Sequence, residues 1–378
     1  MSELVLTGAR IVTRDGVVDG SVAIAGTRIR DVQPGRSALA GAIDLDGDYL
    51  IPGVVDVHTD NLERQVQPRS NARWPSRSAM LAHDAQCAAA GVTTVLDALC
   101  LGDLGFEKER IRTFREGVSD LDALADTGLL KSEHFLHLRC ELPATDMMEL
   151  LEPVAGHARV RMVSLMDHSP GVGQYADLDR YRQMRRKEGA ADAFIERRIA
   201  ELTEQRAQMR GPNRRALLAL LAGSDVALAS HDDRTVEEIE ENHADGILIS
   251  EFPVRRDAAE AARARGMQVI AGAPNIVRGG SHSGNVNAAE LVGAGLVDAF
   301  ASDYVPASLV EAAFICAESG VITLAEAVGT VSAAPAQMAG LADRGRIASG
   351  LRADLVRVRL LDRLPVVRQV WRAGERVA

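Results

Sequence analysis

Hydrophobic and polar positions change their period along this chain. Over the first fifty residues short apolar-polar runs follow one another: Leu4 to Leu6, Ala9 to Thr13, Val17 to Ile24 and Thr27 to Val32, with Asp15-Gly16 and Ala25-Gly26 between them. Such runs with glycine punctuation predict short strands joined by tight hairpins. The carboxyl end has the same character, from Arg352 to Leu360 and from Pro365 to Val377, with a hairpin-like Ala373-Gly374. Neither end alone has enough strands to bury a face. One small composite β-sandwich built from residues 1–53 and 345–378 is therefore predicted.

Between the ends the pattern becomes strand, helix, strand, helix. Eight apolar runs read as strands: Val54 to His58, Thr93 to Ala98, Phe135 to Leu142, Val160 to Asp167, Val226 to Ser230, Gly246 to Phe252, Met267 to Ala273 and Val297 to Ser302. Helical segments separate them, such as Ser78 to Ala90 stopped by Gly91 and Arg255 to Arg265 stopped by Gly266. Eight alternations over about 290 residues predict an α/β fold, a (β/α)8 TIM-like barrel over 54–344, since such barrels need about 250 residues. One connection is oversized. Tyr175 to Leu221, rich in Arg, Glu and Ala, predicts a helical insertion near 175–222 between the fourth and fifth strands.

Composition narrows the function classes. Aromatics make up 3% of the 378 residues and the net charge is -10, which argues against base-stacking and general phosphate-backbone binders. Cys87, Cys100, Cys140 and Cys316 lack CxxC spacing, and Met1-Ser-Glu-Leu-Val-Leu is unlike a secretory leader. No apolar run approaches the roughly 20 residues a membrane crossing needs. A cytoplasmic enzyme with a small-molecule substrate is expected, with no nucleic-acid or membrane partner. Nucleotide loops of the GxGxxG or GxxxxGK[ST] type are absent from the sequence.

The chemistry collects where the strands end. The first gives His58, Asp60 and Glu63, the second Asp97, the third His137, Arg139 and Glu141, and the fourth Asp167 and His168. The fifth gives His231, Asp232 and Asp233, the sixth Glu251, the seventh Asn275 and the eighth Asp303. Carboxyl ends of barrel strands converge in space, so these side chains are expected to share one face. Side chains alternate along a strand, so His58 and Asp60 point the same way and suit zinc, iron or manganese. Taken alone, the same stretch also reads as a polar surface turn.

Pro52-Gly-Val-Val-Asp-Val-His-Thr-Asp60, a histidine ending each of two later strands, Ser302-Asp303, and the exit segment Gly345 to Val356 resemble the amidohydrolase superfamily of metal hydrolases. Asp56 to Glu63, Leu138 to Glu141, Met166 to Gly171, Ala229 to Asp233, Ala273 to Asn285 and Ser302 to Pro306 resemble a narrower branch that cleaves the triphosphate of a ribose phosphonate in carbon-phosphorus lyase metabolism. The resemblance implies one or two divalent ions, zinc first, and a homodimer. It implies His58, Asp60, Glu141, His168, His231 and Asp303 as ligands, with Glu141 bridging and Lys131 the alternative bridge, although Lys131 precedes its strand and reads first as a solvated helix-end residue. Asp303 would take the proton of the attacking water. The two later histidines end strands four and five, one strand earlier than is usual in the superfamily. Either a strand is missed or this branch differs.

Phosphoanhydride cleavage asks for positive charge and positioning. Val277-Arg-Gly-Gly-Ser-His-Ser-Gly284 offers Arg278 for a bidentate contact, glycines for close backbone approach, and Ser281, His282 and Ser283 as donors. Arg139, Asn275, Gly280 and Tyr304 complete the predicted substrate site, with Arg69 or Arg73 as possible extensions. Asp232 and His282 join Asp303 as catalytic candidates. The loop also reads as a plain flexible connection. His83 is expected as a helix-sheet contact, His157 and His243 as surface residues, and His137 with Arg139 as lining below the metals. Asp167 and Asp232 are candidate orienters of neighbouring ligands, and Asp56 needs a buried partner that the sequence does not identify. Two other functions fit the scaffold: a cyclic amidase or N-acetyl-sugar deacetylase, for which an arginine at 278 has no purpose, and a non-catalytic binder, which would lack ligands.

Overall fold

A computed structural model describes residues 3–69, 72–105, 108–281 and 285–378. Eight parallel strands follow in sequence order as spatial neighbours: Val54–Thr59, Val92–Leu101, Glu133–Glu141, Val160–Met166, Ala227–His231, Ile249–Glu251, Gln268–Gly272 and Ala299–Ala301. The ring closes through site residues. Thr59 forms a parallel bridge with Asp303, and the Asp303 amide donates to the His58 carbonyl at 3.0 Å. Val55, Val57, Leu96, Phe135, Met162, Ala229, Ile249, Ile270, Ala299 and Ala301 form one buried cluster with a contribution from every strand. A cluster drawn from all eight fills the barrel and leaves the carboxyl ends as the place for a cavity.

Each predicted run overlaps its strand, because both faces of a parallel barrel strand are buried and the run stays mostly apolar. All ten residues of Val92–Leu101 are buried. Eight strands are accounted for, so the histidines do end the fourth and fifth. Alternation fails at one informative point. Along Val54–Thr59 the step from Asp56 to Thr59 matches the shorter step from Val95 to Asp97 on the neighbour, a bulge. A bulge re-aims the side chains that follow it. Val57 therefore packs in the barrel while His58, next to it, also faces the cavity.

The terminal segments form a second, mixed sheet. Its order is Glu375–Arg376, Leu364–Arg372, Leu355–Leu361, Tyr49–Pro52, Glu3–Thr13, Gly16–Ala25 and Arg28–Pro34, with Ile43–Asp44 paired to Glu3–Thr13. It is one continuous sheet, not two separately bonded ones, and Leu6, Ile11, Ile24, Leu50, Leu355 and Trp371 pack on it. Leu4 to Leu6 and Ala9 to Thr13, read as two strands, are one strand with a register shift, where Gly8 adopts φ +65°. The sheet meets the barrel at Gly53, whose amide donates to the Asp354 carbonyl at 2.7 Å. A Cβ there would lie 2.3 Å from Thr93 Oγ1, so the junction requires glycine.

The insertion comprises a short 3-10 turn, Gly173–Tyr175, and two helices, Leu178–Lys187 and Asp192–Leu221. It is bound to the rim of the barrel by Arg206, whose Nε donates to Asp167 at 2.6 Å. Among the described residues no helix is long and apolar enough to cross a membrane.

Candidate active site

A cavity of about 310 Å³ opens over the carboxyl ends of the strands. His58, Asp60, Arg139, His168, His231, Asp232, Asn275, Arg278, Gly280, Ser281, Asp303 and Tyr304 all line it. These are the ligand and substrate-site residues predicted from sequence, with three exceptions. His282 and Ser283 lie outside the described residues. Glu141 does not reach the lining and stands behind His168.

Three histidines are oriented in the same manner. Glu141 accepts from the His168 amide and from His168 Nδ1, both at 2.7 Å. Glu251, fully buried, accepts from His58 Nδ1 at 2.7 Å on one oxygen and from His231 Nδ1 at 2.8 Å on the other. With Nδ1 engaged, each ring turns its Nε2 away from its carboxylate, which is how metal-ligating histidines are held. Sequence reading placed Glu251 at the end of strand six but gave it no role. Nothing local to residue 251 reveals that it faces strands one and five at once.

The Nε2 atoms converge on carboxylates. Asp232 Oδ2 is 3.8 Å from His231 Nε2 and 3.9 Å from His168 Nε2. Asp232 Oδ2 and His168 Nε2 are buried and lack a protein hydrogen-bond partner. Two imidazoles and a carboxylate at that spacing fit a cation about 2.0–2.2 Å from each, and the donor set suits zinc. His58, Asp60 and Asp303 form a second group whose ligand atoms lie within 4.8 Å of one another. Asp60, however, is also engaged elsewhere: Arg139 Nη1 donates to its Oδ1 at 2.7 Å, and Arg110 Nη2 stands 3.7 Å from Oδ2.

Electrostatics follow from burial and these partners. Burial pushes the Asp303 carboxyl up, and the neighbouring Asp60 charge adds to it. Burial would lower His58, but the Glu251 carboxylate together with hydrogen bonds to Asp60 and Glu251 raises the imidazole to about 10. Glu251 itself is buried, but the His58 charge brings it well below the usual carboxylate range. Backbone strain marks the same place. Asp232, Phe252 and Asp303, which follow strands five, six and eight, adopt φ of 56°, 54° and 56°. Left-handed backbone at non-glycine residues costs about 1–3 kcal/mol each and concentrates at functional sites.

Several sequence expectations are corrected. Lys131, the alternative bridge, is exposed at the amino end of its strand, with Nζ on the Val377 carbonyl. His137 does not line the cavity. It donates through Nδ1 to the Val57 carbonyl and accepts at Nε2 from Ser164, and burial lowers it to about 4. Asp167 pairs with Arg206 of the insertion instead of orienting a histidine. Arg73 is held by Glu109 and Glu116, and neither it nor Arg69 lines the cavity, whereas Arg110, absent from the sequence prediction, does. Tyr175 and Gln174 of the insertion were likewise unforeseen and form part of the lining. Asp56 finds its partners in the Ser302 and His58 amides, while burial pushes it to about 6.

A model of the amidohydrolase family matches residues 225–378. Over 377 residues the chain is 42% identical to the alpha-D-ribose 1-methylphosphonate 5-triphosphate diphosphatase of Escherichia coli strain K12, covering 99% of this chain and 100% of the relative. Among solved structures, N-acetyl-D-glucosamine-6-phosphate deacetylase from Mycobacterium smegmatis superposes with TM-score 0.62 at 18% identity, covering 99% of this chain and 100% of that one. N-isopropylammelide isopropylaminohydrolase from Burkholderia multivorans does so with TM-score 0.61 at 18% identity, covering 100% and 98%. These two share the fold.

Proposed function

The chain belongs to the amidohydrolase family, and from that premise we propose that it hydrolyses alpha-D-ribose 1-methylphosphonate 5-triphosphate to the 5-phosphate and pyrophosphate. The observation that carries this reading is end-to-end identity of 42% to a diphosphatase of that substrate, in a chain whose cavity sets arginines beside a candidate cation site.

His168, His231 and Asp232 would hold a divalent cation, zinc by donor type, because His168 Nε2 and Asp232 Oδ2 are buried without a protein partner and His231 Nε2 is 3.8 Å from that oxygen. Such a cation, when bound, acidifies water and offsets phosphoryl charge. The rest belongs to the chain's own residues. Arg139, Arg110 and Arg278 surround the space a phosphate chain would enter, and guanidinium forks match phosphate oxygens in pairs. Gly279 ends the helix Ala273–Arg278 in left-handed conformation, and its cap turns the chain toward Gly280 and Ser281 on the wall. As the water oxygen bonds to phosphorus and the anhydride P–O bond breaks, Asp303 receives the proton. A carboxyl raised by burial is suited to that task. None of the four cysteines is in a disulfide, which supports work in a reducing compartment such as the cytoplasm.

The experiment is a pyrophosphate-release assay on the triphosphate, before and after chelation and zinc return, with Asp303→Asn beside the wild type. Release that disappears on chelation and returns with zinc is expected. The variant should lose about 10²–10⁴-fold in kcat with its metal content retained. An anhydride left intact by metal-loaded protein would refute the reading.

A further inference from the structure

The two candidate cation groups are not equivalent. At the His168, His231 and Asp232 group, His168 Nε2 and Asp232 Oδ2 are buried with no protein partner, and His231 Nε2 stands 3.8 Å from the same Asp232 oxygen. At the His58, Asp60 and Asp303 group, the central carboxylate already has cations of its own. Arg139 Nη1 lies 2.7 Å from Asp60 Oδ1, the oxygen that is 3.7 Å from His58 Nε2, and Arg110 approaches the other oxygen. Arg139 is almost fully buried, with its side chain 6% exposed, so it cannot swing into water when a second cation arrives. A divalent ion bound to Asp60 would sit beside a buried guanidinium that never gives up its proton, and their repulsion is poorly screened there. Arg139 Nε, moreover, is buried with no acceptor in the protein.

We infer that this chain holds a single cation, at His168, His231 and Asp232, and that Arg139, anchored by Asp60, stands in for a second one as a fixed positive charge on the substrate's phosphoryl oxygens. The inference rests on the phosphoanhydride reading for the identity of the substrate, but not for the metal count. Asp60 is then a positioning residue: it ligates nothing and sets the guanidinium in place. A single arginine does what a second ion would do in charge neutralisation, while leaving Asp303 free of metal to accept the proton.

The test is the metal content of the full chain equilibrated with excess zinc and desalted, read by mass spectrometry, with calorimetric zinc titration alongside. Wild type should carry one zinc per chain, Asp60→Asn one, and Asp232→Asn close to none. Arg139→Met should release Asp60 and raise the count toward two in excess zinc. Folding of each variant is checked by near-ultraviolet circular dichroism, and Asp60→Asn decides the matter if Arg139→Met does not fold. Two zinc ions in wild type, falling to one in Asp60→Asn, would overturn the inference. A pyrophosphate assay on the same samples separates the two claims. Two ions with pyrophosphate released removes the single-cation inference and leaves the diphosphatase, whereas one ion with an intact anhydride does the reverse.

Discussion

At Asp232 three observations meet: a left-handed backbone, a buried oxygen without a partner, and two imidazoles within 4 Å. The sequence offers this residue as a catalytic candidate and as an orienter of its neighbour, but that its own oxygen faces two imidazoles was not legible there. The histidines themselves were, because a polar side chain at the end of an apolar run stands out by its residue type. The roles of Glu141 and Glu251 were not, since whether a carboxylate touches an ion or the back of a histidine depends on which ring nitrogen it faces. Glu251→Gln tests this. Exchanging the acceptor shared by His58 and His231 should weaken zinc binding about 10–100-fold, measured by competition with a chelator, and unchanged affinity would remove Glu251 from the support of the site. Arg278 calls for a different readout. At the exposed wall of the cavity, its truncation should raise KM for the triphosphate by the loss of about 1.5–3 kcal/mol per charge-assisted bond. Steady-state kinetics with kcat little changed is the expected result, and an unchanged KM would contradict it.

Among the elements, the helix Ser76–Ala89 is held to strands two and three of the barrel by a buried polar chain. His83 Nε2 meets Asp97 Oδ1 at 2.7 Å, His134 Nδ1 meets Asp97 Oδ2 at 2.8 Å, and His134 Nε2 meets Asp84 at 3.2 Å. His83 is thus the helix-sheet contact expected from sequence, though its length and its second histidine were beyond local pattern. Burial opposes the His134 charge, yet Asp97 and Asp84 together raise the imidazole to about 9. Asp97 is fully buried, but the His134 charge holds it well below the usual carboxylate range. An unfolded histidine titrates near 6.5, so the His134 contribution is complete below about pH 6.5 and lost as pH rises through about 9. The Asp97 contribution is complete above about pH 4 and is lost in acid. Urea denaturation should therefore show His134→Gln less stable than wild type, with the gap narrowing by roughly 3 kcal/mol between pH 6 and pH 10. A gap that stays constant with pH would mean the imidazole is neutral in the fold. The strands were legible as elements because parallel barrel strands are apolar on both faces, whereas the bulge after Asp56 was not, being a feature of pairing rather than of one segment.

Viewed whole, the molecule carries a net charge of -10 while three arginines face a single cavity. The charge that a polyanionic substrate meets is thus local, and the outer surface does not predict it. Sequence could supply Arg139 and Arg278 from strand ends and a glycine-rich loop, but Arg110 comes from a helix with no motif and is brought in by the fold. On the proposed function, this cavity breaks a triphosphate between the 5-phosphate and a departing pyrophosphate. Phosphorus NMR of the zinc-loaded protein with alpha-D-ribose 1-methylphosphonate 5-triphosphate tests it most directly. Pyrophosphate and the 5-phosphate should rise together in equal amounts, with the phosphonate resonance retained and no orthophosphate formed. Orthophosphate with a 5-diphosphate, or an unchanged triphosphate in the presence of bound zinc, would contradict it.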